Sequence, residues 1–340
     1  MSRQEASTAT ARVETAAGRR KAMLHSAMGP AIAAALDDPR VIEIMVNPDG
    51  ALRLDLLGEG RVDTDIVISA SEVERIIRLV ASHVRAEVHA SAPMLSAELP
   101  PQAEGRAGER FEGILPPVSA GPCFAIRKPA SRPYSMDDYV SDGIISDTAA
   151  ALLRRAVHDR WNILVAGGTS SGKTTLANAL LGEIGVSEER LILIEDTREL
   201  QSPSVDTVAL RTQAGIVTMT DLVRSTLRLR PDRIIVGEVR GPEALDMLKA
   251  WNTGHPGGIA TVHANGSAAA LNRIESLVQE AVAAVPRALI AEAIDLVVFL
   301  SGRGASRRVT SLARVDGLNP QGGYRLTELL VPPTLSGLAL

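Results

Sequence analysis

The chain has 340 residues, enough for two domains at about 150 residues each, and its 45% hydrophobic and 22% charged content excludes disordered and collagen-like classes. With 36 basic and 40 acidic residues the net charge is −4, so no overall positive field draws it to nucleic acid or anionic lipid, and 2% aromatic content speaks against a base-stacking platform. The single cysteine, Cys123, excludes an intramolecular disulfide and a multi-thiolate zinc site and reads as a small buried residue.

Residues 1–22 lack sustained apolar periodicity and end near Arg19-Arg20-Lys21, which predicts a mobile tail without the apolar core of a signal peptide. An N-terminal α/β domain is expected over 23–130. It starts with a helix over Ala22–Leu36, then strands at Ile42–Val46 and Leu52–Leu56 joined by the turn Asn47-Pro48-Asp49-Gly50. A capping box at Ser71-x-x-Glu74 predicts a helix that places Val73, Ile76, Ile77, Val80, Ala81 and Val84 on one buried face. Phe111–Leu115 and Cys123–Ile126 read as strands on either side of Pro116-Pro117. Residues 131–146, turn-rich and polar, predict a linker.

From 147 to 340 the pattern lengthens into alternating elements. Helices are expected over Asp147–Val157, Thr174–Leu181, Thr220–Leu229 and Pro242–Ala250, and strands over Asn162–Ala166, Leu191–Ile194, Arg233–Val236 and Ile259–His263. Such alternation predicts an α/β class with a parallel sheet covered by helices on both faces. Leu289–Leu300, the most apolar stretch, is interrupted by Glu292 and Asp295 and is too short to span a membrane, so the expected location is the cytoplasm.

The octapeptide Gly167-Gly168-Thr169-Ser170-Ser171-Gly172-Lys173-Thr174 fits G-x-x-x-x-G-K-[ST] between an apolar strand and a helix-forming stretch. Its glycines permit a backbone that closes around phosphate, Lys173 is expected at the β- and γ-phosphates, and the Thr174 hydroxyl is expected on Mg²⁺. Glu238 follows the apolar run Arg233–Val236 and is expected as general base or water-orienting group, because Gly237 stands where a metal-holding Asp is usual. Glu195-Asp196 ends a second apolar strand, and two acidic strand ends beside one phosphate loop suggest a shared Mg²⁺ site. His255 and His263 lack the further ligands a zinc site needs, which leaves hydrogen bonding to phosphate, catalytic water or neighbouring acids.

Taken together, Gly167–Thr175, Glu195-Asp196, the run Leu229–Gly241 and His255–His263 resemble the Walker A, Asp box, Walker B and His box of the traffic ATPases of type II and type IV secretion, over nearly all of residues 25–330. Gly254–Thr261 and Val285–Ala293 are similar to the TrbB-type conjugal transfer branch of that family. The resemblance implies a RecA-like P-loop domain behind a smaller α/β domain, a homo-hexamer, and hydrolysis of ATP at the domain junction. As partners it implies other type IV secretion components at the inner membrane, where the protein would be peripheral. It further implies that Thr175 and Asp196 join the nucleotide site and that Arg110 and Arg127 approach the terminal phosphates. Arg240 becomes a candidate contact to phosphate or to a neighbouring subunit. The competing reading is a non-motor P-loop protein, such as a small-molecule kinase or a nucleotide-gated regulator, although no arginine-rich lid insertion follows the phosphate loop. A sequence-specific DNA binder has neither a basic composition nor a recognition motif.

Overall fold

A computed structural model of the chain describes residues 22–101, 108–129, 134–185, 187–213 and 215–330, so the tail expected over 1–22 lies outside the described residues except for Ala22. Two compact units are present, residues 1–131 and 132–340.

The first unit is an antiparallel sheet of β1 (Val41–Val46), β2 (Ala51–Leu56), β3 (Gly60–Val67), β4 (Met94–Glu98), β5 (Arg110–Ile114) and β6 (Cys123–Arg127), in the order β3-β2-β1-β6-β5-β4. The first helical stretch is broken at Gly29 (φ 84°) and Pro30, since proline lacks the N–H that a helix interior needs; α1 (Pro30–Asp37) starts there. Lys128 closes its other end by donating to the Leu36 and Asp38 carbonyls at 2.5 and 2.7 Å. In α2 (Ala70–Val84) the apolar spacing buries Val73, Ile76, Ile77, Val80 and Ala81 against Ile44, Phe111 and Ile126. The capping box lies two residues before the expected one. Ser69 Oγ accepts the Glu72 N–H and Glu72 Oε2 accepts the Ser69 N–H, because the sequence repeats the serine and the glutamate at an interval of two.

In the second unit the helices are α3 (Met136–Ser141), α4 (Asp147–His158), α5 (Lys173–Ile184), α6 (Met219–Thr226), α7 (Glu243–Asn252), α8 (Ser267–Gln279) and α9 (Arg287–Ala293). The strands are β7 (Ile163–Gly167), β8 (Leu191–Glu195), β9 (Thr207–Arg211), β10 (Arg233–Val236), β11 (Ile259–His263), β12 (Leu296–Ser301), β13 (Arg308–Leu318) and β14 (Tyr324–Glu328). They form one sheet in the order β14-β13-β12-β7-β11-β10-β8-β9, parallel from β12 to β9. Strand β7 shows why an unbroken apolar run suits this position: Ile163 and Val165 enter one core and Leu164 and Ala166 the other, so both faces are covered.

One expectation is corrected here. Residues 134–146 are part of the second unit and not a linker: Ser135 and Asp138 form a capping box, and Met136 and Tyr139, three apart on α3, are fully buried. The polar capping residues masked that short apolar face. Leu289–Leu300 divides between α9 and β12 at Asp295, whose carboxylate accepts the Asn162 N–H at 2.7 Å. Among the described residues no helix is long and apolar enough to cross a membrane.

At the edge of the sheet where its parallel strands begin, the buried Arg233 guanidinium donates to Glu189 at 2.6 Å and to the Val157 carbonyl at 2.9 Å, and Arg160 donates to the same Glu189 at 2.6 Å. Removing a partner from a buried cation leaves an uncompensated charge. Glu189→Ala is therefore expected to cost about 3 kcal/mol in urea denaturation, whereas Arg155→Ala, which breaks the exposed pair with Asp159, should cost under about 1 kcal/mol.

Candidate functional site

The phosphate-loop motif leaves β7, which lies between β11 and β12, and leads into α5. Gly172 sits at φ 93° and Ser170 at φ 60°. Gly167 is glycine because of crowding: a Cβ there would lie 2.5 Å from Ser171 Oγ and 2.8 Å from the Leu300 carbonyl. Gly168, Thr169 and Ser170 are exposed, Thr174 and Thr175 are half-buried, and the N-terminus of α5 has no side-chain cap, which leaves its first N–H groups free for an anion. Lys173 is 7% exposed. Its Nζ donates to the Gly168 carbonyl at 3.1 Å and lies 3.3 Å from Nδ1 of His263.

Parallel register sets the rest of the row. His263 ends β11 directly beside Gly167, and Glu238 lies two residues past the end of β10, the next strand over. Glu238 Oε1 is 2.7 Å from His263 Nε2, and Glu238 Oε2 accepts from Arg240 at 2.5 Å. Arg240 also reaches Asp196 at 3.3 Å, and Asp196 accepts from Thr212 at 2.9 Å. The turn carrying Glu238 is pinned by Thr261, which donates its hydroxyl to the Gly237 carbonyl at 2.7 Å and accepts the Val239 N–H at its own carbonyl. Burial pushes the Glu238 carboxyl up, but Arg240, His263 and Lys173 outweigh it and hold the carboxyl below its ordinary value. Burial, helped by Lys173, Arg240 and Arg273, holds His263 below its ordinary value against the pull of Glu238. His263 Nε2 and Glu238 Oε1 are within ion-pair distance but not in hydrogen-bond geometry, so Glu238 Oε1 is buried without a hydrogen-bond donor.

Glu195 is held differently. It is 4% exposed, and its Oε1 accepts the N–H groups of Glu199 and Leu200, both at 2.8 Å, which fixes the loop after β8. Its side chain also explains Gly237, where a Cβ would lie 2.9 Å from Glu195 Cγ. The space that a metal-holding Asp at 237 would need is thus filled from the neighbouring strand. His255 does not join the row. It precedes β11, at the opposite end of the strands from the phosphate loop, with Nδ1 3.3 Å from the Ala250 carbonyl, so the expectation that it contacts a nucleotide on its own chain is corrected. The length of β11 separates it from His263.

In the first unit Arg110 and Arg127 face each other in register across β5 and β6, in a row whose outer members are Glu43 and Glu98. Among the described residues neither guanidinium has an acidic partner within ion-pair distance, and like charges placed opposite one another repel. One residue at the phosphate loop has no signal in the sequence: Arg307, between β12 and β13, lies against Gly172.

Burial raises the Glu195 carboxyl from its ordinary 4.5 to about 7, against the two amide hydrogen bonds. The folded state therefore holds a proton that the unfolded state loses between those values, so this contribution to stability falls as pH rises from 4.5 to 7 and is flat above. Relative to Glu195→Gln, which keeps an acceptor for both amides, the wild type should lose on the order of 3 kcal/mol across that window in denaturant titrations at stepped pH.

The sequence profile described as "Type II/IV secretion system protein" matches residues 63–303. The probable conjugal transfer protein TrbB of Sinorhizobium fredii is 46% identical, over 86% of this chain and 89% of that protein. The type IV secretion system protein PtlH of Bordetella pertussis is 34% identical, over 82% and 91%. Among solved structures, the pilus retraction motor PilT with bound ADP has a TM-score of 0.60 at 17% identity, covering 90% of this chain and 83% of that one. The ATPase DotB of Legionella pneumophila has a TM-score of 0.56 at 16% identity, over 86% and 77%. These two share the fold, a smaller α/β unit followed by a RecA-like domain. With the profile spanning both the phosphate loop and Glu238, the chain belongs to the type II/IV secretion system ATPase family.

Proposed function

We propose that the protein is a motor ATPase, working as a ring of six copies, that hydrolyses ATP to drive substrate transfer or pilus assembly in a type IV secretion or conjugation system. It would act from the cytoplasmic side of the inner membrane, with other components of that machinery as partners. One observation carries the reading: Lys173, His263 and Glu238 form a continuous polar chain across the ends of β7, β11 and β10.

The phosphates lie on the N–H groups at the start of α5, and Lys173 exchanges its bond to the Gly168 carbonyl for a phosphate oxygen. Thr174 supplies a hydroxyl ligand for Mg²⁺. Among the described residues no cluster of three or more His, Cys, Asp and Glu is built to hold a metal, so Thr174 is the side chain that would hold Mg²⁺ beside the phosphates, where the ion would neutralise developing charge. Glu238, kept ionised by its neighbours, accepts the proton of the attacking water, and His263 holds that carboxylate in position. Arg110 and Arg127 are assigned the terminal phosphates as their counter-charge, which suits two guanidinium groups side by side with no acid within ion-pair distance among the described residues. That assignment makes hydrolysis dependent on the first unit.

Because Lys173 is buried, Lys173→Met, which keeps most of the stem, is the suitable test; it should abolish ATP hydrolysis in a steady-state assay. Glu238→Gln should bind ATP normally by calorimetry while turnover falls at least ~100-fold; equal losses of both would reassign it to metal holding or structure. Arg127→Ala should lose hydrolysis with a smaller loss of affinity. With ATP present, light scattering should find a hexamer, and a monomer or dimer at saturating ATP would remove the motor reading.

A further inference from the structure

Strand β7 has two neighbours, and the proposed chemistry uses only one of them. On the other side β12 leads into a short loop that ends at Arg307. This loop is held firmly. Gly302, at φ 73°, has no room for a Cβ against the Ser306 carbonyl, Arg303 N–H donates to Ser306 Oγ at 3.1 Å, and Arg307 N–H donates to the Gly304 carbonyl at 3.2 Å. Just beyond, Val309 N–H donates to the Ile144 carbonyl at 2.9 Å. The Arg307 guanidinium is thereby placed against the phosphate loop, where a Cβ on Gly172 would lie 2.7 Å from Cζ and 2.8 Å from Nε. Its Nε is buried without a hydrogen-bond partner, and among the described residues it has no acid within ion-pair distance. The Tyr139 hydroxyl, also buried and unpaired, is close enough for the Arg307 charge to oppose the upward push that burial gives its pKa.

A guanidinium donor buried without an acceptor is costly, and one held against a phosphate loop has an anion as its natural counterpart. The direction is set by the strand order. Lys173, His263 and Glu238 lie toward β11 and β10, where the terminal phosphate must be to meet Glu238, so the nucleotide's other end extends toward β12. We propose that Arg307 binds the sugar-proximal end of the phosphate chain of a nucleoside di- or triphosphate. This rests on the nucleotide site assigned above and adds a contact on the side of the loop away from the reacting phosphate.

The test measures ADP and ATP affinity of the full chain by calorimetry, for wild type, Arg307→Gln, Arg307→Lys and Lys173→Met, with the melting curve of each unliganded protein as the check on folding. Arg307→Gln should weaken ADP and ATP by the same factor, roughly 10- to 100-fold, the span of one charge-assisted hydrogen bond. Arg307→Lys, which keeps the charge and most of the packing, should weaken them less. Loss for ATP alone would move Arg307 to the terminal phosphate and overturn the proposal. Unchanged affinities for both Arg307 variants, with Lys173→Met impaired, would overturn it while leaving the nucleotide site intact. If Lys173→Met also binds both nucleotides normally, the nucleotide site itself fails, and this inference with it.

Discussion

A lysine ammonium that is 7% exposed is the constraint around which the second unit's site is built. A buried cation without compensation is unstable as a charge, and the contacts of Lys173 include the Gly168 carbonyl and the His263 ring. His263 must therefore stay neutral to accept from it, and something must hold His263 neutral yet oriented. Glu238 Oε1, 2.7 Å from Nε2, is the contact that positions the ring, while burial and the surrounding cations keep it neutral. Glu238 in turn stays ionised because Arg240 donates to its Oε2, and Arg240 is anchored on Asp196.

The chain of groups exists because the strand order is β7-β11-β10-β8. Consecutive β7 and β8 are separated in space by two later strands, so residues far apart in sequence end at one edge of the sheet. Crowding at that edge then selects residues. Gly237 lacks a side chain because Glu195 occupies the space, and Gly167 because Ser171 and Leu300 do. A carboxylate at 237 would compete with Glu195 for one volume and bring two negative charges together. The chain keeps the acid on β8 and uses it to tie down the following loop.

The features legible in the sequence are those whose causes are local. The phosphate loop declares itself through glycines and a lysine at fixed spacing, the buried strands through unbroken apolar runs, and Glu238 through its place after one of them. The features that were not legible depend on the third dimension. Strands β3 and β4 flank a sheet whose register no local pattern reveals, and β12 to β14 lie past the last motif. Helix α3 is six residues whose caps read as linker, although Tyr139 is wholly buried. His255 and His263 are eight residues apart, and β11 carries them to opposite ends of the sheet. Arg307 stands among several arginines in a glycine-rich turn, and only the pairing of β12 with β7 brings it to Gly172.

Composition and site also differ in sign, and the fold accounts for it. A chain with net charge −4 has no general attraction for a polyanion, yet a nucleotide carries several negative charges. The sheet solves this by concentrating cationic groups at one edge: Lys173 and the N–H groups of α5 at the centre, Arg240 on the β10 side and Arg307 on the β12 side. Arg240 already has acidic partners and Arg307 has none among the described residues, so the two flanks differ in kind. The first keeps the Glu238 carboxylate ionised. The second holds an unspent donor against the loop, ready for an anion that the chain itself does not provide.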